Sequence, residues 1–352
     1  MPEVSKARSS NMRVAMYYNN RDVRLEEIPV PVIGPGEILI RVQASGICGS
    51  DLMEWYRLPK APLVLGHEIA GEVVEVGEGV LEFKPGDRVM ATHHVPCNTC
   101  HHCLRGNHSS CGTLRTTHFD PGGFSEYIRI PAINVDRGVL KLPDEVSYDE
   151  ASFVEPLGCV LRGQRLAGFQ ITDSVLVMGS GITGLLHIQL ARAQGAGRII
   201  ATDVSDYRLS AAARFGADYA VKAGEDVASF TREVNDGRLA DFVIVCTGAK
   251  SAIEESFGLV EPGGTILFFA PSGPGASISI PFNEFWWSGI KTVSSYAASP
   301  SDLALALELI RAGRVNVRDM VTHRLPLSDT LKGFRMVEEA RDSIKIIIQP
   351  HL

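Results

Sequence analysis

The sequence has no apolar run approaching the roughly 18 residues that a membrane span needs, so no transmembrane helix is expected. A basic surplus is also missing. Lys and Arg number 34 against 41 Asp and Glu, a formal net charge of -7, which argues against a nucleic-acid partner. Residues 1–11 are polar with no apolar core. They read as a short disordered leader before Met12 rather than as a secretory signal. Internal repeats and low-complexity segments are lacking. The cysteine count is 7, and a secreted disulfide framework would be smaller and even-numbered. Four of these cysteines crowd between Cys97 and Cys111. That pattern points to a metal cluster in a reducing, cytoplasmic setting.

The 352 residues, 45% of them hydrophobic, suffice for about two domains at roughly 150 residues each. The first 150 or so residues read as β-rich. Short Val/Ile runs at 38–42 and 69–76 are broken by Gly and Pro at 34–36, 77–79 and 85–86. After about residue 167 the pattern changes. Strands are expected at 174–178, 198–202 and 242–246, with helices at 182–193 and 206–215. Gly263 and Gly264 read as a turn into a strand at 265–270. This alternation predicts an α/β, doubly wound parallel sheet with helices on both faces, a Rossmann-like unit. A helix at 302–311 and a strand at 344–349 are expected to pack back on the first domain. The division is therefore 1–160 with 296–352 as one domain and 161–295 as an inserted second domain.

Gly179-Ser180-Gly181-Ile182-Thr183-Gly184 follows the strand at 174–178 and opens a helix, the context a dinucleotide-binding turn requires. Gly179 permits the tight turn, Gly181 lets backbone approach a pyrophosphate, and Gly184 lets helix and strand pack closely. The helix N-terminus then faces the phosphates. Asp203 ends the next strand, 19 residues after Gly184. A carboxylate there accepts hydrogen bonds from an adenosine ribose and repels a 2′-phosphate, favouring NAD over NADP. Arg208 nearby is placed either to stack on adenine or to weaken that preference.

Cys97-x-x-Cys100-x-x-Cys103 with Cys111 beyond is a strong metal signal. Four thiolates close a tetrahedron around zinc and leave no open position, so this site is expected to be structural. His101, His102 and His108 lie within the segment and are read as solvent-facing. Elsewhere Cys48-Gly49-Ser50-Asp51, Gly66-His67-Glu68 and Glu155-Pro156 are individually weak signals.

Together these segments carry a resemblance. The chain resembles the zinc-containing medium-chain dehydrogenases, and among them the sorbitol (polyol) dehydrogenase-like branch. The matches run from about Met12 to Leu352. They include Pro35-Gly36-Glu37, the Gly-His-Glu segment with Gly71, Gly77 and Val80 in register, Pro85-Gly86-Asp87-Arg88-Val89, the cysteine lobe, and Val321-Thr322-His323-Arg324. The resemblance implies a GroES-like catalytic domain carrying two zincs, one catalytic and one structural, beside the Rossmann-like domain. It implies Cys48 and His67 as ligands of the catalytic zinc. Glu155 stands where liver-type alcohol dehydrogenases have a zinc-binding cysteine, and Glu68 and Glu155 each bind the metal directly or through water. Ser50 matches a proton-relay hydroxyl. Where sorbitol dehydrogenases commonly carry a histidine five residues after the cysteine, this chain has Met53, so the proton exit would use water or Glu155.

The implied activity is hydride transfer between a secondary alcohol or polyol and NAD, by a homodimer or homotetramer. Threonine, cyclitols and sugar phosphates are alternative substrates, the last drawing on Arg57 and Lys60. A dinucleotide-binding scaffold without turnover is the reading from another class. Trp55, Tyr56, Trp286, Trp287 and Tyr296 are expected mostly in cores or interfaces.

Overall fold

The computed structural model describes residues 10–352, so residues 1–9 of the leader expected at 1–11 lie outside the described residues. Asn11 already belongs to the first strand, Asn11–Asn19, which pairs antiparallel with Asp22–Pro29.

Among the described residues, two larger sheets stand beside a three-stranded one formed by Asp22–Pro29, Asn11–Asn19 and Leu63–Val64. The first has strands in the order Val321–Pro326, Lys345–Gln349, Ile38–Gly46, Glu68–Val76, Arg88–Ala91 and Val139–Lys141, with Tyr127–Ile130 also paired to Ile38–Gly46. The C-terminal strand Lys345–Gln349 thus joins the N-terminal unit, antiparallel to Ile38–Gly46 through Ile347↔Gly46 and Ile348↔Ser45. The expected return of the tail rests on a plain cause. Ile346, Ile347 and Ile348 are all fully buried, and each such side chain contributes roughly 1.5–3 kcal/mol when removed from water.

The second sheet is parallel throughout. Its order is Tyr219–Lys222, Arg198–Asp203, Ser174–Met178, Ala240–Val245, Val260–Phe268 and Lys291–Ser294. The chain order reverses beside Ser174–Met178, the switch point at which such sheets open a ligand crevice. Val175, Leu176 and Val177 are fully buried, as a central parallel strand covered on both faces requires. Gly263 and Gly264 do not precede the fifth strand but lie inside Val260–Phe268, with Gly263 at φ 81° and a register shift opposite. A left-handed glycine lets the strand bulge without ending.

Helix Val154–Ala167 ties the two sheets together. It follows a Ser147/Glu150 capping box and ends at Gly168, φ 75°. Its N-terminal turn enters the first unit. Its far end meets the second sheet, where Gly163 leaves just enough room for Phe269 and Leu267. The expected boundary between residues 160 and 161 falls inside this helix. Helix Pro300–Arg311 packs along it. No helix among the described residues is long and apolar enough to cross a membrane.

Candidate metal centres and cofactor cleft

Cys48 leaves the end of the strand Ile38–Gly46, and His67 immediately precedes its partner strand, Glu68–Val76. The antiparallel register, with Gly46 opposite Glu68, therefore brings the two segments to one point. The donor atoms of Cys48, His67 and Glu68 all lie within 4.8 Å of one another. A tetrahedral zinc with bonds of 2.0–2.3 Å has ligand–ligand edges of about 3.3–3.8 Å, so the three donors fit one ion. Glu155 is not within that tight group but sits beside it, buried, at the start of the bridging helix. Burial, reinforced by Glu68, pushes its carboxyl up to about 7 even with His67 pulling the other way. Cys159, one turn along the helix, donates its thiol to Glu155 Oε1 at 3.6 Å.

Asp51 organises this centre. It is fully buried, accepts the Cys48 backbone N–H at 3.0 Å, and lies 3.4 Å from His67 Nδ1 and 3.5 Å from Arg57 Nη2. With Nδ1 engaged by a carboxylate, the other ring nitrogen is left for a metal. Burial works against a charged His67, but Asp51 and Cys48 outweigh it and hold the imidazole well above its usual range. Ser50 Oγ donates to Cys48 Sγ at 3.4 Å and accepts from Arg57 Nη2 at 3.2 Å. Glu68 is turned onto Lys345: both are buried, their charged groups are in direct contact, and Lys345 Nζ also donates to the Ile47 carbonyl at 3.2 Å. Two more imidazoles lie alongside: the His93 ring centre is 4.8 Å from that of His67 at a tilt of 51°, and that of His94 is 3.7 Å from His93. Burial pushes His94 down to about 3.

The four-cysteine lobe is a second centre. Cys97, Cys100, Cys103 and Cys111 have all their sulfurs within 4.8 Å of one another. Cys100 Sγ and Cys97 Sγ lie 3.6 and 4.0 Å from Cys103 Sγ, close to the edge of about 3.8 Å for a zinc tetrathiolate. Backbone N–H groups already aim at the sulfurs, Cys100 N–H to Cys97 Sγ at 3.3 Å and Cys97 N–H to Cys111 Sγ at 3.4 Å. Hydrogen bonds from the Thr99 N–H and hydroxyl pull the Cys97 thiol down to about 5. The donor set therefore suits a thiolate-bound metal. His101 and His102 are exposed, while His108 is half-buried against Arg162 Nη1 at 3.4 Å.

The glycine turn follows Ser174–Met178 and opens helix Ile182–Ala193. Gly179 adopts φ 95°, which only glycine takes readily. At Gly184 an added methyl would overlap the Gly179 carbonyl oxygen, so side-chain absence sets the helix–strand spacing. Ile182 and Thr183 are partly exposed at the helix start. Asp203 is nearly buried, with Oδ2 accepting Ser180 N–H at 2.8 Å and Oδ1 accepting Ser205 N–H at 2.9 Å. Arg208 approaches Asp203 at 3.9 Å and lies just under 4 Å from the point above Gly181 where a side chain would start. The turn, the helix end and the carboxylate suit a dinucleotide.

Sequence reasoning missed Asp51, Lys345, Cys159, His93 and His94. Asp51 stood within the Cys-Gly-Ser-Asp segment, and two adjacent histidines just before the cysteine lobe were a visible signal. Lys345 offered none. Arg57, weighed for a phosphate, instead holds Ser50 and Asp51. Trp55, Trp286 and Trp287 are exposed, not core residues, and Tyr296 is half exposed.

Residues 34–144 match the alcohol dehydrogenase GroES-like domain, and residues 183–312 match the zinc-binding dehydrogenase domain. Sorbitol dehydrogenase of Gallus gallus is 31% identical over 340 residues, covering 93% of each chain. L-threonine 3-dehydrogenase of Pyrococcus abyssi is 36% identical over 328 residues, covering 90% of each. A solved zinc-binding dehydrogenase candidate from Sinorhizobium meliloti 1021, bound to NADP, superposes with a TM-score of 0.86 at 26% identity, over 97% of this chain and 100% of that one.

Proposed function

The chain belongs to the zinc-containing medium-chain dehydrogenases, in their sorbitol dehydrogenase-like branch, and we propose that it transfers a hydride between a secondary alcohol or polyol and NAD. The observation that carries this reading is the convergence of Cys48, His67 and Glu68 within 4.8 Å, in a chain that also carries the glycine turn. Cys48 and His67 are proposed as ligands of a catalytic zinc, with Glu155 and Glu68 as carboxylate donors, direct or through water. Cys97, Cys100, Cys103 and Cys111 are proposed to hold a structural zinc. Gly179, Gly181, Ile182, Thr183, Gly184, Asp203 and Arg208 are proposed to hold the dinucleotide.

Zinc bound there would supply Lewis acidity toward the alcohol oxygen, and a bound nicotinamide would accept the hydride. The chain's own residues do the rest. Asp51 fixes the His67 tautomer and the Cys48 loop. Ser50 presents its hydroxyl beside Cys48, where a substrate hydroxyl must lose its proton. Arg57, a permanent cation 3.2 Å from Ser50 Oγ, favours a developing negative charge at that oxygen without competing for the proton. With Met53 unable to relay, the proton passes on to water or, where Glu155 meets the metal only through water, to the buried Glu155 carboxylate.

NAD is preferred over NADP because the Asp203 carboxylate would oppose a 2′-phosphate. Arg208 beside it and the NADP-bound relative make the Asp203→Ala cofactor ratio the test of that preference. A second reading, an amino alcohol of the threonine type, is favoured by the 36% identity to the archaeal threonine enzyme. We further propose a division into residues 1–160 with 296–352 and residues 161–295, and a cytoplasmic homodimer or homotetramer. Exposed Phe282, Trp286 and Trp287 near the edge strand Lys291–Ser294 support self-association, and cysteines grouped as metal ligands support a reducing compartment. The functional test is NAD reduction screened over secondary alcohols, polyols, cyclitols, sugar phosphates and threonine, with zinc measured on the same sample. Two zincs per chain and turnover of one class support the reading. Two zincs and NADH binding with no turnover of any class would return it to a scaffold.

A further inference from the structure

Glu68 and Glu155 both stand at the Cys48/His67 centre, and each has one oxygen held by a different kind of donor. Glu68 Oε2 is held by the buried ammonium of Lys345. Glu155 Oε1 accepts the Cys159 thiol, with Sγ at 3.6 Å. Cys159 stands at i+4 from Glu155 in helix Val154–Ala167, a spacing at which helical side chains meet. It is half-buried, at the side of the centre and not sealed in a core.

The helix itself has little room to move. An added methyl at Gly158 would lie 3.0 Å from Leu303 Cδ2 and 3.1 Å from Ala298 Cβ, and one at Gly163 would lie 3.2 Å from Phe269. Glu155, Cys159 and Arg162 fall at i, i+4 and i+7, on one face of the helix. Arg162 is buried, lies 3.6 Å from Asp302 and donates through Nη2 to the Gly106 carbonyl at 3.1 Å. With the backbone fixed in this way, the place of the Glu155 carboxylate rests on its side-chain torsions. Among the described residues, Cys159 supplies the one hydrogen bond to that carboxylate. The result is visible in the donor set: Cys48, His67 and Glu68 lie within 4.8 Å of one another, and Glu155 lies outside that group.

We propose that Cys159 is a positioning residue for the metal centre: its thiol holds Glu155 beside the Cys48/His67/Glu68 group instead of within it. A thiol is a weak donor, so the hold is light and is lost with the sulfur. A freed Glu155 carboxylate would enter the position that a catalytic metal keeps open for its substrate. Glu68 has no such freedom, because a full counter-charge holds its oxygen. Cys159 acts through Glu155. The inference rests on the reading of Cys48 and His67 as ligands of a catalytic metal.

The test uses the full chain with zinc in the cysteine lobe and cobalt(II) titrated into the Cys48/His67 centre. Cobalt's visible bands report its coordination number, intense with four ligands and weak with more. Cys159→Ala removes the donor, while Cys159→Ser keeps one of similar size. Cys159→Ala should weaken and shift the bands and tighten cobalt binding about threefold, the scale of one weak hydrogen bond. Cys159→Ser should keep the wild-type bands. In a Glu155→Gln background Cys159→Ala should no longer move them, because both act on one carboxylate. On the zinc enzyme, Cys159→Ala should raise KM for the alcohol about threefold, since Glu155 then competes for the open position. Bands unchanged in Cys159→Ala, or changed as much in Cys159→Ser as in Cys159→Ala, overturn the inference alone. A wild type that binds cobalt nowhere beyond the lobe overturns the functional reading and the inference with it.

Discussion

Replacing Lys345 by Met should destabilise the catalytic unit while leaving the dinucleotide sheet unchanged. Lys345 is 1% exposed and Glu68 1% exposed, and their charged groups are in direct contact beneath Gly46, Ile47 and Phe153. Methionine fills much of the lysine volume, so packing changes little. What is lost is the cation, and Glu68 is left as a buried carboxylate without its counter-charge. Breaking one side of such a pair costs roughly 3–5 kcal/mol. At about 2–4 °C per kcal/mol for a unit of some 200 residues, the melting temperature should fall by about 10 °C. Adding Glu68→Gln removes the orphaned charge and should recover more than half of the loss, a coupling of about 2 kcal/mol or more. Calorimetry on the four members of this cycle, with the Cys48/His67 centre kept free of metal so that no zinc replaces the lost cation at Glu68, reads the effect. A Lys345→Met protein that melts within about 2 °C of wild type, or a double variant less stable than Lys345→Met, refutes the reasoning.

Gly184→Ala should push the Gly179 turn out of place, since the added methyl meets the Gly179 carbonyl oxygen. NADH binding, followed by nicotinamide fluorescence, should weaken at least about tenfold, with an overpacking cost of about 1–3 kcal/mol in stability. His187 is fully buried, with its ring edge-on to Phe269, and burial pushes it down to about 3. Its folded value lies below its unfolded 6.5, so the stability it confers is present above pH 6.5 and is lost as pH falls toward 3. At about 1.4 kcal/mol per unit over the shift from 6.5 to about 3, the full loss at the acid end is about 5 kcal/mol. His187→Gln should flatten that limb in denaturation measured between pH 7 and 4. Cys103→Ser should lower zinc content from two atoms per chain to one and loosen the lobe, read by metal analysis and limited proteolysis between residues 97 and 111.

The parts of this molecule that local chemistry dictates were legible in the sequence. The strand Ser174–Met178, the helix Ile182–Ala193 and the glycines between them form one contiguous signal, because turn, phosphate cradle and helix start are consecutive in the chain. The cysteine lobe is similarly local, spanning Cys97 to Cys111. The parts that escaped are pairings across long chain separations. Lys345 reaches Glu68 only because the last strand lies against Ile38–Gly46. Tyr296 reaches His94 only because the segment after the parallel sheet folds back onto the first unit. Neither residue type carries a periodicity that would mark it. Arg57 shows the converse. Its charge was visible, but its direction was not, and it points inward to Ser50 and Asp51.

The central claim is that Cys48 and His67 hold a metal distinct from that of the cysteine lobe and needed for hydride transfer. Metal analysis of Cys48→Ala beside its steady-state activity and NADH affinity tests this most directly. The account predicts one zinc per chain instead of two, turnover reduced at least about a thousandfold, in the range of loss of a principal electrostatic catalyst, and NADH binding retained. Two zincs per chain together with near-wild-type turnover would contradict it.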